Sequence, residues 1–322
     1  IQEQAFSLWN DYLEPEFGFN LHDQSSYYTA GNNFKTATIS FLAPAYNYEK
    51  EINEVRSNTM KVIVDLNNEL SKIIPGHIGR YSDDFEPRAF GDNLVKWGTS
   101  SVLIESGGWK DDAEKQFIRK LNFISLLVAF ESIAKGNYNS NNIDYYFAIP
   151  QNERLLYDVI LRNALIEIHG KEFLMDVAIN RNERINRNGE KTYYSSISEL
   201  GDLSIFYGYE EYDLSNMKLE PGKIYKDDYY HELEKEDLTE LLNDGFTDFL
   251  SDTLYVKEID LRKTKVNLFT DKERKSTNEI RLFRNANFVV KKDDQVKYLF
   301  INGFLVNPKV DFTTVENGLL ID

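Results

Sequence analysis

Val102-Leu103-Ile104-Glu105-Ser106-Gly107-Gly108 is an apolar run that ends in a carboxylate and then in small residues. It reads as a buried strand delivering one acid to a cleft, because a strand is rigid and its end opens beside the sheet. Phe19-Asn20-Leu21-His22-Asp23-Gln24, earlier in the chain, has the same build and ends in an imidazole. A neutral imidazole is the commonest metal ligand, and a carboxylate at a strand end is a candidate general base. Between the two runs, Ala37 to Ala43 predicts a short strand stopped by Pro44. Ile52, Val55, Thr59, Val62, Ile63, Leu66, Leu70 and Ile73 recur at helical steps and predict a helix over 49–73, ended by Pro75-Gly76. A further helix opens at Asp111 or Asp112, with Glu114 at capping-box spacing, and closes at Lys135-Gly136-Asn137. Its buried face is read as Phe117, Leu121, Ile124, Leu127, Val128 and Ile133. Residues 1–14 read as the end of a helix broken by Pro15, and 25–36 as an exposed loop. The alternation of strand and helix from 16 to 135 is an α/β pattern.

With His22 and Glu105 in these places, residues 1–135 resemble the second half of the M14 zinc metallocarboxypeptidases. The resemblance implies a mixed sheet with flanking helices, incomplete in this chain. It implies that His22 is the downstream zinc ligand and Glu105 the catalytic base. Gly79-Arg80-Tyr81-Ser82-Asp83-Asp84-Phe85 falls where the family carries a mobile Tyr that caps the substrate, and Tyr81 is its counterpart. Arg80, Arg88 and Asp92 on the same loop are the candidates for holding substrate, the arginines through bidentate contact with a carboxylate. The family's HxxE zinc motif is expected ahead of His22, where this sequence has no His. The chain is therefore read as a C-terminal piece of a longer protein, inactive alone and weak in zinc binding. The free sheet edge would be covered by upstream sequence or by a second chain. His169-Gly170-Lys171-Glu172 and His231-Glu232-Leu233-Glu234 also spell HxxE but stand in the wrong order.

Beyond the polar stretch Asn137 to Asn142 the texture changes, which puts a domain boundary at 138. Residues 139–322 read as a mainly β, sandwich-like accessory domain of short strands, with one acidic helix at 234–250. Its segments Tyr157 to Ala164, Asp176 to Ile179, Pro221-Gly222, Asn285 to Val289 and Ile301 to Gly303 resemble the small β-domain that flanks the barrel of amidohydrolases. The barrel's HxH motif is replaced here by Lys223-Ile224-Tyr225-Lys226, so the resemblance implies that β-domain without its enzyme and without a metal.

Composition bounds the function. A net charge of −16 disfavours nucleic acid and anionic lipid. The absence of cysteine excludes disulfides, a thiol nucleophile and thiolate metal sites. No apolar run reaches membrane-spanning length. The compartment stays open, with a periplasmic or secreted setting favoured.

Each candidate also has a plainer role. His22 can be a hydrogen-bonded strand-end histidine, and Glu105 the partner of Arg80 or Arg88 in an ion pair. Asp23 can orient an imidazole or sit solvated in a loop. Arg80 and Arg88 can be neutralised by Asp83, Asp84 and Glu86. The function expected is zinc-dependent hydrolysis of a peptide or C-terminal amide bond. The alternatives are a non-catalytic binding module on the same fold, or a zinc deacylase of small N-acyl amino acids.

Overall fold

The computed structural model describes residues 12–112, 114–185, 191–226, 235–250, 267–269, 278–307 and 320–321. The chain divides into two compact units, Ile1–Leu156 and Tyr157–Asp322. The division falls later than the boundary expected at 138.

The first unit contains β1 (Phe17–Asp23), β2 (Thr29–Ala30), β3 (Ile39–Leu42), α1 (Glu54–Leu70), β4 (Ile78–Arg80), α2 (Phe90–Lys96), β5 (Ser100–Ser106), α3 (Gln116–Lys135), α4 (Asp144–Phe147) and β6 (Asn152–Glu153). Its main sheet runs β1-β5-β3-β4, with β1 parallel to β5, β3 antiparallel to β5 and β4 parallel to β3. The alternation of strand and helix is thus an α/β unit as expected, and its sheet is mixed. Ile39, Phe41, Val102 and Ile104 point from one face into a core completed by Met60, Ile63, Leu66 and Leu70 of α1 and Ile118, Leu121 and Ala129 of α3.

Helix α1 starts later than predicted. Lys50 takes a left-handed backbone, φ 54°, which no helix accommodates. Asn53 then caps the helix, its side-chain oxygen accepting from the Arg56 N–H at 2.9 Å. Ile52 and Ile73 consequently lie outside the helix and are exposed. Helix α3 starts at Gln116, and Asp112 reaches over to accept the N–H groups of Phe117 and Ile118 at 3.0 and 3.1 Å. Of the expected face, Leu121 is buried and Phe117, Val128 and Ile133 pack against the core, while Leu127 is exposed; Ile118, Ser125, Ala129 and Ser132 are buried as well. Small side chains on that face let α3 lie close on α1, and the Ser132 hydroxyl donates to Asp65.

The polar stretch expected as a linker packs onto this unit. Asn137–Ser140 forms one 3-10 turn. Asn141 donates to Asp65 and to the Lys61 carbonyl, and Tyr146 of α4 is fully buried. Strand β6 pairs antiparallel with β2.

The second unit contains β7 (Leu156–Ile168), β8 (Lys171–Ile185), β9 (Lys191–Gly201), β10 (Tyr207–Asp213), β11 (Lys218–Pro221), β12 (Lys223–Lys226), α5 (Lys235–Asn243), β13 (Phe246–Leu250), β14 (Asn267–Phe269), β15 (Phe288–Lys292), β16 (Gln295–Ile301), β17 (Phe304–Val306) and β18 (Leu320–Ile321). An eight-stranded sheet runs β17-β16-β15-β11-β7-β8-β9, with β10 on β7. A small sheet, β12-β13-β14-β18, is parallel throughout. The unit is β-rich as expected, but β7 to β9 are long strands, not short ones. The expected helix over 234–250 ends at Asn243, because Gly245 adopts φ 89° and Phe246–Leu250 turns into a strand. The segments singled out in the sequence meet here: Tyr157 to Ala164 and Asp176 to Ile179 lie on paired strands, and Pro221 lies opposite Phe288. Asn287 and Asn302 lock the joint, Asn302 N–H donating to Asn287 at 2.7 Å and Ser195 N–H to Asn302 at 2.8 Å.

Candidate functional site

Register decides the site. His22 lies directly beside Glu105 across the parallel β1–β5 pair, and Ser40 lies directly opposite Glu105 across β3–β5. Gly79 is next in the row, beside Ser40 on β4. Adjacent side chains in register share a face, so the row lies on the face away from the helical core. The His22 Nδ1 to Glu105 Oε1 distance is 3.6 Å, with the His22 side chain half exposed and that of Glu105 only 7% exposed. The two strand-end side chains lie next to each other on one face of the sheet.

Burial pushes the Glu105 carboxyl above the usual range; His22 works against that rise and Asp23 adds to it. No hydrogen bond from a described residue reaches the Glu105 side chain. The Tyr81 phenol is also raised, first by burial and then by the negative charge of Glu105 and by Tyr28. Tyr81 therefore stands in the field of Glu105. Its backbone N–H donates to the Phe41 carbonyl at 3.0 Å, which extends the sheet ladder by one residue, and its ring meets Tyr28 edge-on at 6.3 Å.

Arg80 does not join them. Strand alternation sends it to the opposite face, where its guanidinium lies 5.7 Å from the Tyr146 ring centre and 5.6 Å from that of Phe147. Arg88 is exposed and clasps Glu86 through two bonds of 2.9 and 3.0 Å, holding that carboxyl down at about 2. Neither arginine is the ion partner of Glu105. Asp92, at the start of α2, is buried and raised by desolvation, and its carboxylate accepts the Glu86 N–H at 2.7 Å. Asp23 pairs with Lys115, so it is not oriented as an imidazole partner.

Several residues near the site escaped the sequence reading. Gln24 donates to Ser40 and to the Ala37 carbonyl, each at 2.9 Å, and accepts from Asn152 at 2.9 Å. Asn152 also exchanges bonds with Ser40. This closed amide–hydroxyl network floors the row beside Glu105. Gly79 is required there, since a Cβ would lie 1.9 Å from the Asn152 side-chain oxygen. Gln24 follows His22-Asp23 directly, which was a signal; Asn152 gave none, because its partners are distant in sequence.

A catalytic zinc site takes three protein ligands. Among the described residues no group of three or more His, Cys, Asp or Glu could hold a metal. His22 and Glu105 supply a pair, so the residues present do not by themselves fit a zinc ion. His169 sits exposed in the two-residue turn between β7 and β8, with φ 52° followed by Gly170 at 74°, where its HxxE spacing makes a hairpin tip. His231 lies outside the described residues.

No family model and no curated protein matches this chain. Among solved structures it is similar to a D-aminoacylase described as defining a novel subset of amidohydrolases, at 21% identity and a TM-score of 0.23, over 30% of this chain and 18% of that one. It is also similar to an N-acyl-D-glutamate deacylase from Bordetella bronchiseptica complexed with zinc and a phosphonate inhibitor, at 17% identity and a TM-score of 0.23, over 30% and 19%. The chain thus spans under a fifth of the length of these proteins, and a likeness at that level carries no argument about fold or chemistry. Among the described residues no helix is long and apolar enough to cross a membrane.

Proposed function

We propose that the first unit carries half of the active site of a hydrolase that cleaves a peptide or C-terminal amide bond, of the metallocarboxypeptidase type. The supporting observation is the side-by-side placement of His22 and Glu105 at the ends of β1 and β5, with Tyr81 in the field of Glu105. In this reading Glu105 takes a proton from the attacking water and passes it to the leaving amine. Its burial makes it a stronger base than a solvated carboxylate. Tyr81, whose phenol is held protonated, donates a hydrogen bond to the substrate or to the developing oxyanion. His22 keeps an accessible imidazole for a metal whose other ligands are not among the described residues. No step is drawn through that metal.

The second unit has the role of an accessory domain in this reading. The test is hydrolysis by the protein carrying the complete ligand set, with C-terminal peptide substrates beside N-acyl-D-amino acids. The latter are included because a zinc deacylase of small N-acyl amino acids is the alternative reading of the sequence. Glu105→Gln is expected to lower kcat by about 10²–10⁴-fold while metal content is unchanged. Full turnover in that variant would remove Glu105 from the chemistry. Absence of turnover on both substrate classes by the unmodified protein would leave a binding module.

A further inference from the structure

Tyr81 stands at the head of a loop that is tied down at several points. Arg56, in the first turn of α1, is 1% exposed and donates from Nε to the Ala43 carbonyl at 3.1 Å and from one terminal nitrogen to the Lys50 carbonyl at 2.6 Å. Its other terminal nitrogen donates to Asp83 Oδ2 at 2.7 Å. Asp83 Oδ1 accepts from the Lys50 ammonium at 3.0 Å, and the same ammonium reaches Asp84 at 2.8 Å. The left-handed backbone of Lys50 presents its carbonyl to Arg56 while its side chain spans to the Tyr81 loop. Phe85 meets Tyr48 edge-on at 5.0 Å, a further tie between the same two segments. The chain ahead of α1 and the chain after Tyr81 are thus fastened to one buried guanidinium. Bonds between ionised partners are the strong ones, and a buried guanidinium does not readily give up its only carboxylate.

We propose that Asp83 is a positioning residue for Tyr81. Clamped by Arg56 and Lys50, it holds the Tyr81 segment in place, so that Tyr81 is a fixed part of the fold and not a cap that swings in with substrate. This rests on the assignment of Tyr81 to the Glu105 site. Asp83 lies two residues from Tyr81, whose own backbone is bonded, among the described residues, to the Phe41 carbonyl alone. Release of Asp83 therefore frees the phenol first, while β5 and α1 keep their own bonds.

The test is amide hydrogen exchange on the chain, read at Tyr81 and, as references, at Ile104 in β5 and Ile63 in α1. Asp83→Asn is expected to speed Tyr81 exchange by about tenfold or more beyond any rise at the references, as expected for local opening. Lys50→Met, which leaves Arg56 on Asp83, is expected to give a smaller rise confined to the same loop. Asp84→Asn is expected to change little, because that carboxylate touches Lys50 and Ser82 but not Arg56. Unchanged exchange at Tyr81 in Asp83→Asn overturns the proposal, and so does an equal rise at all three positions. If Asp83→Asn does not fold, the Lys50→Met result decides alone, and no rise at Tyr81 overturns it. Exchange needs no turnover, so a failure of the hydrolase reading leaves this outcome interpretable. In the catalytically complete protein, Asp83→Asn added to Tyr81→Phe should lower kcat no further than Tyr81→Phe alone. Additive losses would show that Asp83 does not act through Tyr81.

Discussion

Glu105→Gln should stabilise the folded protein at neutral and higher pH. The side chain is 7% exposed, accepts no hydrogen bond from a described residue, and has a half-exposed imidazole at 3.6 Å as its neighbour. Burial raises its folded-state pKa above the ordinary value of 4.5. A carboxyl raised in this way binds its proton more tightly in the folded than in the unfolded chain. The stability it contributes is full below the unfolded value and is lost as pH rises through the raised folded value. Glutamine has nearly the same shape and never ionises, so the variant keeps what the glutamate loses. The expected gain above that window is about 1–2 kcal/mol, typical of relieving a destabilised functional group. It corresponds to about 2–4 °C in Tm per kcal/mol for a domain of this size. Urea unfolding of both proteins across pH 4–8 measures it. The difference should vanish towards the acid end and open as pH rises. A variant that is no more stable at pH 8, or a difference that grows on acidification, would refute the assignment of Glu105 as a desolvated, poorly compensated acid.

Tyr146→Phe should cost about 1–3 kcal/mol by chemical denaturation, because the fully buried Ala43 N–H donates to that hydroxyl at 3.1 Å and would be left unpaired. Leu66→Ala, in the centre of the first unit's core, should cost about 2–5 kcal/mol, and a loss below 1 would mean that the core collapses onto the gap. Gly107→Ala should destabilise more than Gly79→Ala, since the new Cβ would lie 2.0 Å from the Ala37 backbone oxygen in one case and 1.9 Å from a side-chain atom of Asn152 in the other. Thermal melts that rank them the other way would mean that the Gln24–Ser40–Asn152 network is stiffer than the backbone. Asp83 feels burial that raises its carboxyl, but the bonds from Arg56 and Lys50 outweigh it and hold the group below its ordinary 3.8. Its contribution is full above that value and is lost as pH falls through the lower folded value, so Asp83→Asn and the parent should converge in stability only under strongly acid conditions.

Much of the first unit was legible because its signals are local. The apolar runs into His22 and Glu105 are strands for the reason that made them readable, a short stretch of β-formers ended by turn residues. The period of α1 marked its inward stripe from Thr59 to Leu70. The inward face of α3 was legible in part: Phe117, Leu121, Val128 and Ile133 pack on the core as expected, whereas Ser125, Ala129 and Ser132 carry no hydrophobic signal and face in because small side chains permit close approach to α1. The stretch 137–142 was read as a linker because its polar residues look solvated one by one, whereas Asn141 is bonded to Lys61 and Asp65 far back in the chain.

The sequence by itself determined which residues end the site strands, since an apolar run followed by Gly or Asp says where a strand stops and what chemistry stands there. It could not determine which strands become neighbours. The tertiary structure decided that β1 lies parallel beside β5, which puts His22 next to Glu105. It also decided that Arg80 on β4 turns to the core face, onto the rings of Tyr146 and Phe147, and away from Glu105. And it decided that Arg56, on paper a polar residue in the first turn of a helix, is the buried anchor of the Tyr81 loop. Strand period and capping are fixed by neighbours within a few residues, whereas register and the pairing of buried charge are fixed by packing between distant segments.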